Sequence, residues 1–389
     1  MLLDRIVRFI SSLRLTVVCL ILAIILVFFG TLAQVNEGLY NAQARWFRSF
    51  FVWWTPGGTD WRFPFLPGGY LVGTVLLVNL IAAHFQRFAL KWSKLGIHVT
   101  HAGLILLLVG QLSTDMFSRE TLMSFNEGET ANYTVSPSIT ELVFITPAAN
   151  GKGDDVISIP QSLLTHPGKV IHNAKLPFDI RVQTFYVNAA VRQRAPMMDT
   201  NPPPATAGFG PDLTLFPQPE VKTTDERNTP AVILELSNAK GSLGTWLAYA
   251  GLSEQEITVD NRTWRMALRF ERHYLPFSMK LLKTKHEVYR GTDIPRNFQS
   301  RVQIDNPVTH ESRAVDIYMN NPLRYGGLTF YQYQMGRDQV DERRGNSVLQ
   351  VVRNPGWLTP YIGCGLVGGG LLIQFLMHLV KFIKRRRTV

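Results

Sequence analysis

Four long, uncharged apolar runs constrain this chain more than any other feature of its sequence. Three of them are 18 residues long and the last is 24. Because 18 helical residues extend about 27 Å, each run is long enough to cross the hydrocarbon of a bilayer. We therefore predict four transmembrane helices. They are Leu15–Leu32, Gly68–Phe85, Leu95–Leu112 and Trp357–Val380.

The charge distribution favours a membrane protein over a nucleic-acid-binding protein. The 40 Lys and Arg residues exceed the 29 Asp and Glu residues, which gives a net charge of +11. Residues 1–112 carry +6 and residues 381–389 carry +5, whereas 113–356 holds 26 bases and 26 acids. Since the excess flanks the apolar runs, it is explained by membrane topology, and we predict no nucleic-acid partner.

The basic residues also predict the orientation of the four helices. Bases precede the first run, link the second to the third through Arg87, Lys91 and Lys94, and follow the last run. The positive-inside rule then places both termini and the loop between the second and third helices in the cytoplasm. The large region 113–356 is expected on the extracytoplasmic side.

The predicted domain organisation follows from these spans. Residues 1–112 form three transmembrane helices with a short outer loop at 33–67, residues 357–380 form the fourth, and 381–389 form a basic cytoplasmic tail. Region 113–356 alternates polar and apolar residues in runs such as Phe178–Val187 and is punctuated by Pro and Gly. This pattern is typical of strands and predicts a mainly-β domain, either an antiparallel sandwich or an open barrel.

Two segments of the outer region depart from the strand pattern. Residues 196–230 hold eight prolines, which excludes a helix or a central strand and predicts a surface insertion. Ser242–Gly251 is predicted as a short helix.

The cysteines exclude several redox functions for the outer region. The two cysteines, Cys19 and Cys364, both fall within apolar runs. Region 113–356 therefore has no disulfide and no C-x-x-C pair, and the chain has no C-x-x-C-H site for covalent haem.

Four of the nine histidines lie in or at the predicted spans, all towards the cytoplasmic ends. Ionisable side chains are costly inside a membrane, so each is a functional candidate, and a neutral imidazole is a strong ligand for haem iron. His98 and His101 share one helix face, with His101 the deeper of the two. For His84, His98 and His378 an interfacial role beside lipid headgroups remains an alternative.

Other polar and small residues in the spans have simpler interpretations. Asn79 and Gln374 could each orient a histidine or hold helices together. Gly103 and Gly110 permit close helix approach, and the Gly365 and Gly369 pair is interpreted as a packing face. Trp53, Trp54 and Trp61 in the outer loop are interpreted as interfacial anchors.

Several segments, in order along the chain, make it resemble the ResB (CcsB) family of membrane subunits of the System II cytochrome c synthase. The most distinctive is Asn321-Pro322-Leu323-Arg324-Tyr325-Gly326-Gly327, followed by Phe330-Tyr331-Gln332. The others are Ser12–Leu15, Gly30–Gln34, His101-Ala102-Gly103, Leu275-Pro276-Phe277, Leu281-Leu282, Tyr289, Ser300 and Arg353–Gly356.

This resemblance implies a role in cytochrome c biogenesis at the bacterial cytoplasmic membrane. ResB-like subunits act with a ResC (CcsA) membrane protein to move haem b across the membrane and attach it to C-x-x-C-H apocytochromes. A thiol reductase is a further expected partner. The family's haem-associated histidine lies in the third span and so corresponds to His101, with His98, His84 and His378 as further candidates. The Trp-rich motif of the ResC partner is absent, so this chain is expected to be a non-autonomous subunit of a lyase-type synthase, without catalytic residues of its own.

Two other functions remain open. One is a quinol-linked electron-transfer subunit with b-type haem, although such proteins place bis-histidine haems in both leaflets and the candidates here crowd one. The other is a scaffold that binds no haem and whose outer strands hold an extended apocytochrome segment for the partner.

Overall fold

A computed structural model describes residues 2–55, 61–86, 91–148, 151, 153–195, 199, 201–221, 227–291, 295–337, 341 and 343–387. The described residues form two compact units. The helical unit contains the described residues up to 119 and from 354 onward, and the β unit contains those from 120 to 353.

The helices of the chain carry the apolar runs. In chain order the helices are α1 Leu2–Ile10, α2 Leu13–Glu37, α3 Leu39–Ala42, α4 Gly69–Gln86, α5 Leu95–Phe117, α6 Gln161–Leu164 and α7 Thr359–Arg387. Four of them are long and apolar enough to cross a membrane, namely α2, α4, α7, and α5 together with the turn before it. The four predicted apolar helices are therefore confirmed.

Local capping sets the limits of α2. The Ser12 hydroxyl accepts a hydrogen bond from the Leu15 amide at 3.3 Å, which caps the first turn. Gly38 follows the last turn at a φ of 74°, a left-handed conformation, and its N–H donates to the Gln34 carbonyl. The helix is therefore longer at both ends than the apolar run that predicted it.

Glycines bring α5 and α7 into close contact. Gly96, Gly103 and Gly110 recur every seven residues on α5 and are all buried. A Cβ on Gly103 would lie 2.8 Å from the Gly363 carbonyl oxygen and 2.8 Å from Cγ2 of Val367. Close packing at Gly103 and Gly110 was predicted from the sequence and is confirmed.

The packing face predicted at Gly365 and Gly369 does not contact another helix among the described residues. A Cβ added at either glycine would meet nothing within 4 Å, whereas one at Gly363 or Gly370 would clash with α5. The i, i+4 spacing identified a row of small residues, but the neighbouring row is the one that faces α5.

The outer loop between α2 and α4 contains a short hairpin of β1 (Phe51–Trp54) and β2 (Phe63–Pro67). Its aromatic side chains are largely exposed, among them Trp53, Trp54 and Trp61. A π-helical turn at Gln43–Phe47 precedes the hairpin and buries Trp46 against the helices.

The β unit is built on two unusually long strands that serve two cores. These are β4 (Thr130–Pro147), with 18 residues, and β13 (Arg262–Val288), with 27. The remaining strands, in chain order, are β3 Arg119–Asn126, β5 Asp154–Pro160, β6 Val170–Ile171, β7 Asp179–Tyr186, β8 Ala189–Gln193, β9 Leu213–Pro217, β10 Ala231–Asn238, β11 Gly241–Tyr249, β12 Gln255–Val259, β14 Pro295–Asn306, β15 Glu311–Tyr318, β16 Leu323–Tyr325, β17 Leu328–Arg337 and β18 Gly345–Arg353. The predicted mainly-β domain is confirmed.

One half of this unit is a sandwich. The four-stranded sheet β11-β10-β7-β6 packs on the part of the larger sheet where β5 and β12 flank β4 and β13. Alternate residues of each sheet point into the shared core, including Leu142, Phe144, Leu234 and Trp264.

The other half curls towards a barrel. The larger sheet runs in the order β15-β14-β13-β4-β3-β18-β17-β16. Tyr318, the last residue of the edge strand β15, exchanges backbone hydrogen bonds with Asn321, where the chain turns towards the other edge strand, β16. Strands from both edges share one core around Met279, Ile304 and Phe330. Both predicted alternatives, sandwich and open barrel, thus describe part of the domain.

Two segments of the β unit differ in detail from the strand pattern of the sequence. The short helix predicted at Ser242–Gly251 is wrong, because most of it belongs to β11, which pairs along its length with β10. Within the proline-rich insertion 196–230, the described residues include β9, which forms a two-stranded ladder with β8.

The Asn321–Gly327 segment forms a tight hairpin between β16 and β17. Tyr325 pairs with Leu328, so Gly326 and Gly327 are the two turn residues, at φ values of 59° and 76°. Two successive left-handed residues characterise a type I′ turn, which glycine adopts without strain. The Tyr325 hydroxyl donates to Glu311 Oε2 at 2.8 Å and accepts from Asn306 Nδ2 at 2.9 Å, which ties this hairpin to β14 and β15.

We expect Gly103→Val to destabilise the helical unit by about 1–3 kcal/mol, the usual cost of overpacking. Its side chain must displace the backbone of Gly363 or the side chain of Val367. The free energy of unfolding in mixed micelles measures this effect. Gly365→Val is the matched control, and equal destabilisation by the two variants would contradict the glycine-mediated contact.

We expect the stability of the β unit to depend on pH through Glu311. The Tyr325 hydroxyl, followed by the Arg313 guanidinium, holds the pKa of the Glu311 carboxyl below its ordinary value. A lowered pKa in the folded state stabilises the fold above the ordinary carboxyl pKa of about 4.3, and this contribution is lost as pH falls through the folded value. Thermal unfolding should therefore show Tyr325→Phe to be more destabilising at pH 7 than at pH 3.

Tyr331→Phe is the matched control for this measurement, because it removes a hydroxyl from the neighbouring strand. A deficit of Tyr325→Phe that does not change with pH would assign the whole effect to the Asn306 hydrogen bond.

Candidate functional site

Three of the four candidate histidines meet where α4 ends and α5 begins. The ring centroids of His84 and His98 are 5.2 Å apart, and those of His84 and His101 are 5.9 Å apart, both in edge-to-face contact. All three side chains are half-buried. The structure therefore groups residues that are up to 17 positions apart in the sequence.

The glycine face of α5 explains why two of these histidines point towards α4. At about 100° per residue, His98 and His101 project about 200° and 140° from Gly96. Gly96 and its heptad partners contact α7, so both histidines lie on the opposite side of the helix. They share a face with each other, as the three-residue spacing predicts.

A polar seam holds the start of α2 against α4, the helix that carries His84. Asn79 is buried, and its Nδ2 donates to the carbonyl oxygens of Ile10 and Ser12. Its Oδ1 accepts a hydrogen bond from Thr16 Oγ1 at 2.6 Å. The Ser11 hydroxyl donates to Gln86, two residues beyond His84. Of the two interpretations of Asn79, helix packing is therefore the one that its contacts support.

His378 has a different environment from the other three. It is exposed on α7, and Gln374 Nε2 lies 2.8 Å from its Nε2, one helical turn away. Because the Gln374 amide nitrogen is a donor, this contact uses the Nε2 lone pair of His378. Gln374 thus orients this histidine, which was one of its two predicted roles. Of the basic residues near the candidate histidines, Lys381 lies three residues after His378 on α7, and Arg87 lies outside the described residues.

The histidine cluster fits haem better than it fits a free metal ion. Among the described residues, no group of three or more His, Cys, Asp or Glu side chains surrounds a common point as a metal site requires. Haem needs only one or two axial nitrogens, because the porphyrin fills the equatorial positions.

Residues 236–345 match the model of the ResB-like family. This segment is ResB-like. It runs from the last residues of β10 to the start of β18, so it includes β13 and the Gly326-Gly327 hairpin. The resemblance seen in the sequence is therefore confirmed over this segment. The histidine cluster lies outside the matched segment.

A relative is also similar to part of this chain. Protein NrfI of Wolinella succinogenes is 28% identical to it over 133 residues, which is 34% of this chain and 14% of NrfI. The chain therefore spans only a small fraction of the length of that relative.

Sequence reasoning missed a polar cluster at the opposite end of α5. The Asp115 carboxylate forms an ion pair with Arg48 Nε at 2.6 Å and accepts a hydrogen bond from the Tyr70 hydroxyl. The available signal was an acidic residue directly after an apolar run. Its partners are 67 and 45 positions away, and nothing in their spacing identifies them.

We expect Asn79→Ala to destabilise the helical unit by about 1–3 kcal/mol, because buried carbonyl groups lose their donor. Unfolding in mixed micelles measures the loss. Val78→Ala, at the exposed neighbouring position of α4, is the control. A cost for Asn79→Ala no greater than that of the control would contradict the role of the seam.

Proposed function

We propose that this chain is the haem-handling ResB-type subunit of a System II cytochrome c synthase. In this proposal it spans the bacterial cytoplasmic membrane four times, with both termini in the cytoplasm and the β unit outside. With a ResC/CcsA-type partner it transports haem b across the membrane. The partner complex then attaches the haem to C-x-x-C-H apocytochromes c.

The observation that carries this proposal is the contact of His84, His98 and His101. Three imidazoles together inside an apolar helix pair are costly unless they serve a ligand. The ResB-like match over residues 236–345 supports the proposed process, and the contact of the three rings supports a haem site here. Under the positive-inside orientation, this place faces the leaflet in which cytoplasmic haem arrives.

The three histidines have different roles in this proposal. His101 would hold the haem iron, because it lies deepest of the three along the apolar run and corresponds to the family's haem-associated position. His84, whose ring contacts those of His98 and His101, would line the same site together with His98. His378 is the least favoured candidate, because Gln374 already engages its Nε2.

The β unit has a supporting role that involves no thiol chemistry of its own. Both cysteines of the chain lie in the helical unit, at positions 19 and 364. The thiols that form the thioether bonds must therefore come from the apocytochrome, kept reduced by a separate thiol reductase. The eight-residue strand β15 lies at an edge of the larger sheet, where a peptide segment would add by backbone pairing.

The quinol-linked electron-transfer alternative is less well supported. A transmembrane electron path with two haems needs histidine pairs at both ends of the helices, and the grouped histidines all lie at one end. The non-haem scaffold alternative gives the half-buried imidazole cluster no function.

We expect His101→Ala to reduce haem in the purified two-subunit complex, and the yield of a reporter cytochrome c, by at least about tenfold, since losing even an outer partner of a metal ligand costs that much. The haem Soret and α bands of the co-expressed, purified complex report the ligand, and the reporter yield reports delivery. His378→Ala is the matched control and should retain both.

His101→Gly with added imidazole separates a ligand role from a structural one. Free imidazole should restore the haem spectrum if His101 binds iron. Normal haem content and normal cytochrome yield in His101→Ala would overturn the assignment. Reversible low-spin haem redox with quinol oxidation by the isolated chain would favour the electron-transfer function instead.

A further inference from the structure

A second feature of the helical unit is independent of the histidines. At the end of the unit where α5 finishes, a cavity of about 460 Å³ lies among α2, the π-helical turn, α4 and α5. This volume is in the range that holds a small organic ligand. α2, α4 and α5 are three of the four candidate membrane spans, so the cavity belongs to the apolar part of the molecule.

The residues that line this cavity are of two kinds, aliphatic and polar. Leu77, Leu108 and Leu112 give it an aliphatic side. Three glutamines, Gln34, Gln43 and Gln111, add amide groups that can both donate and accept hydrogen bonds. An occupant therefore needs an apolar body and hydrogen-bonding atoms at one end.

The charges at the cavity cancel each other. Arg48 and Asp115 are the charged residues among the described residues that line it, and they are paired at 2.6 Å. The Asp115 side chain is only 9% exposed, and Tyr70 donates to its second oxygen. An anionic headgroup or a haem propionate that approached Arg48 would lie next to the Asp115 carboxylate, which repels it. The site is thus suited to a neutral ligand.

A glycine leaves space open at one side of the cavity. Gly73 lines the cavity, and a Cβ added there would meet nothing within 4 Å. A larger residue would extend into the space without disturbing the backbone. Gly73 lies one turn after Tyr70 on α4, beside the paired polar groups.

We propose that this cavity binds a membrane quinone. A quinone is neutral, flat and lipid-soluble, and its ring oxygens accept hydrogen bonds from the amides, while the oxidised and reduced forms can use the donors and acceptors of the same glutamines. Histidine is absent from the described lining residues, so the cavity offers haem iron no imidazole ligand. The proposal concerns binding and does not depend on the haem role of the histidine cluster.

The full chain in phosphatidylcholine nanodiscs provides the test. Decylubiquinone should quench tryptophan fluorescence saturably, and an excess of decylbenzene, which has the same tail but no oxygens, should not relieve this quenching by displacing the quinone. Gly73→Leu should weaken binding at least about tenfold, and Gln111→Leu about two- to tenfold, as the loss of one hydrogen bond implies. Gly365→Leu, which also adds a side chain in open space, should bind as the unmodified chain does.

Several results would overturn the proposal. One is the absence of saturable quenching by decylubiquinone, and another is unchanged affinity in Gly73→Leu with its thermal stability intact. A third is a Gly73→Leu variant that no longer binds haemin but still binds decylubiquinone, because this result would assign the cavity to haem. Because His101→Ala should leave quinone binding unchanged, failure here and failure of the haem assignment are distinguishable.

Discussion

The close contact of α5 with α7 is the constraint on which the helical unit depends. In a bilayer, helices gain little from burying apolar side chains against each other, so close backbone approach supplies much of the packing energy. Glycines at 96, 103 and 110 provide it along one face of α5. Once that face is committed to α7, the opposite face must meet α4, and the histidines on it are brought to His84. The site is therefore a consequence of which side of α5 lacks side chains.

The β unit solves a different packing problem with long strands. A single 27-residue strand, β13, pairs with β4 over both halves, so the sandwich and the curled sheet share a common frame. The ResB-like match begins in β10 and covers β13, and it ends where β18 starts. The matched segment thus contains the strand that joins the two cores, together with the glycine turn between β16 and β17. The matched segment lies within the β unit and contains none of the histidines of the helical site.

The sequence predicted those features whose causes are local. Apolar runs predicted the four long helices, strand alternation predicted the β unit, and the three-residue spacing placed His98 and His101 on one face. Features that depend on distant partners were missed or misjudged. Gly365 and Gly369 have the right spacing for packing, but only tertiary contact decides which row of glycines faces a neighbour. The helix predicted at Ser242–Gly251 was wrong for the same reason, since pairing with β10 determines the conformation of this segment.

The two polar clusters of the helical unit lie at opposite ends of the same helices. His101 and Asp115 are both on α5, and 14 residues of helix separate them by about 21 Å along the axis. A ligand held by the imidazoles therefore cannot reach Tyr70 or Asp115 without moving along the helix pair. At one end of the helices the charges of Arg48 and Asp115 cancel each other, whereas at the other end the imidazoles are suited to binding iron. The two ends therefore suit different ligands. A chain that moved haem from one end to the other would need a second iron ligand beyond the cavity, and the described residues lining the cavity do not provide a histidine.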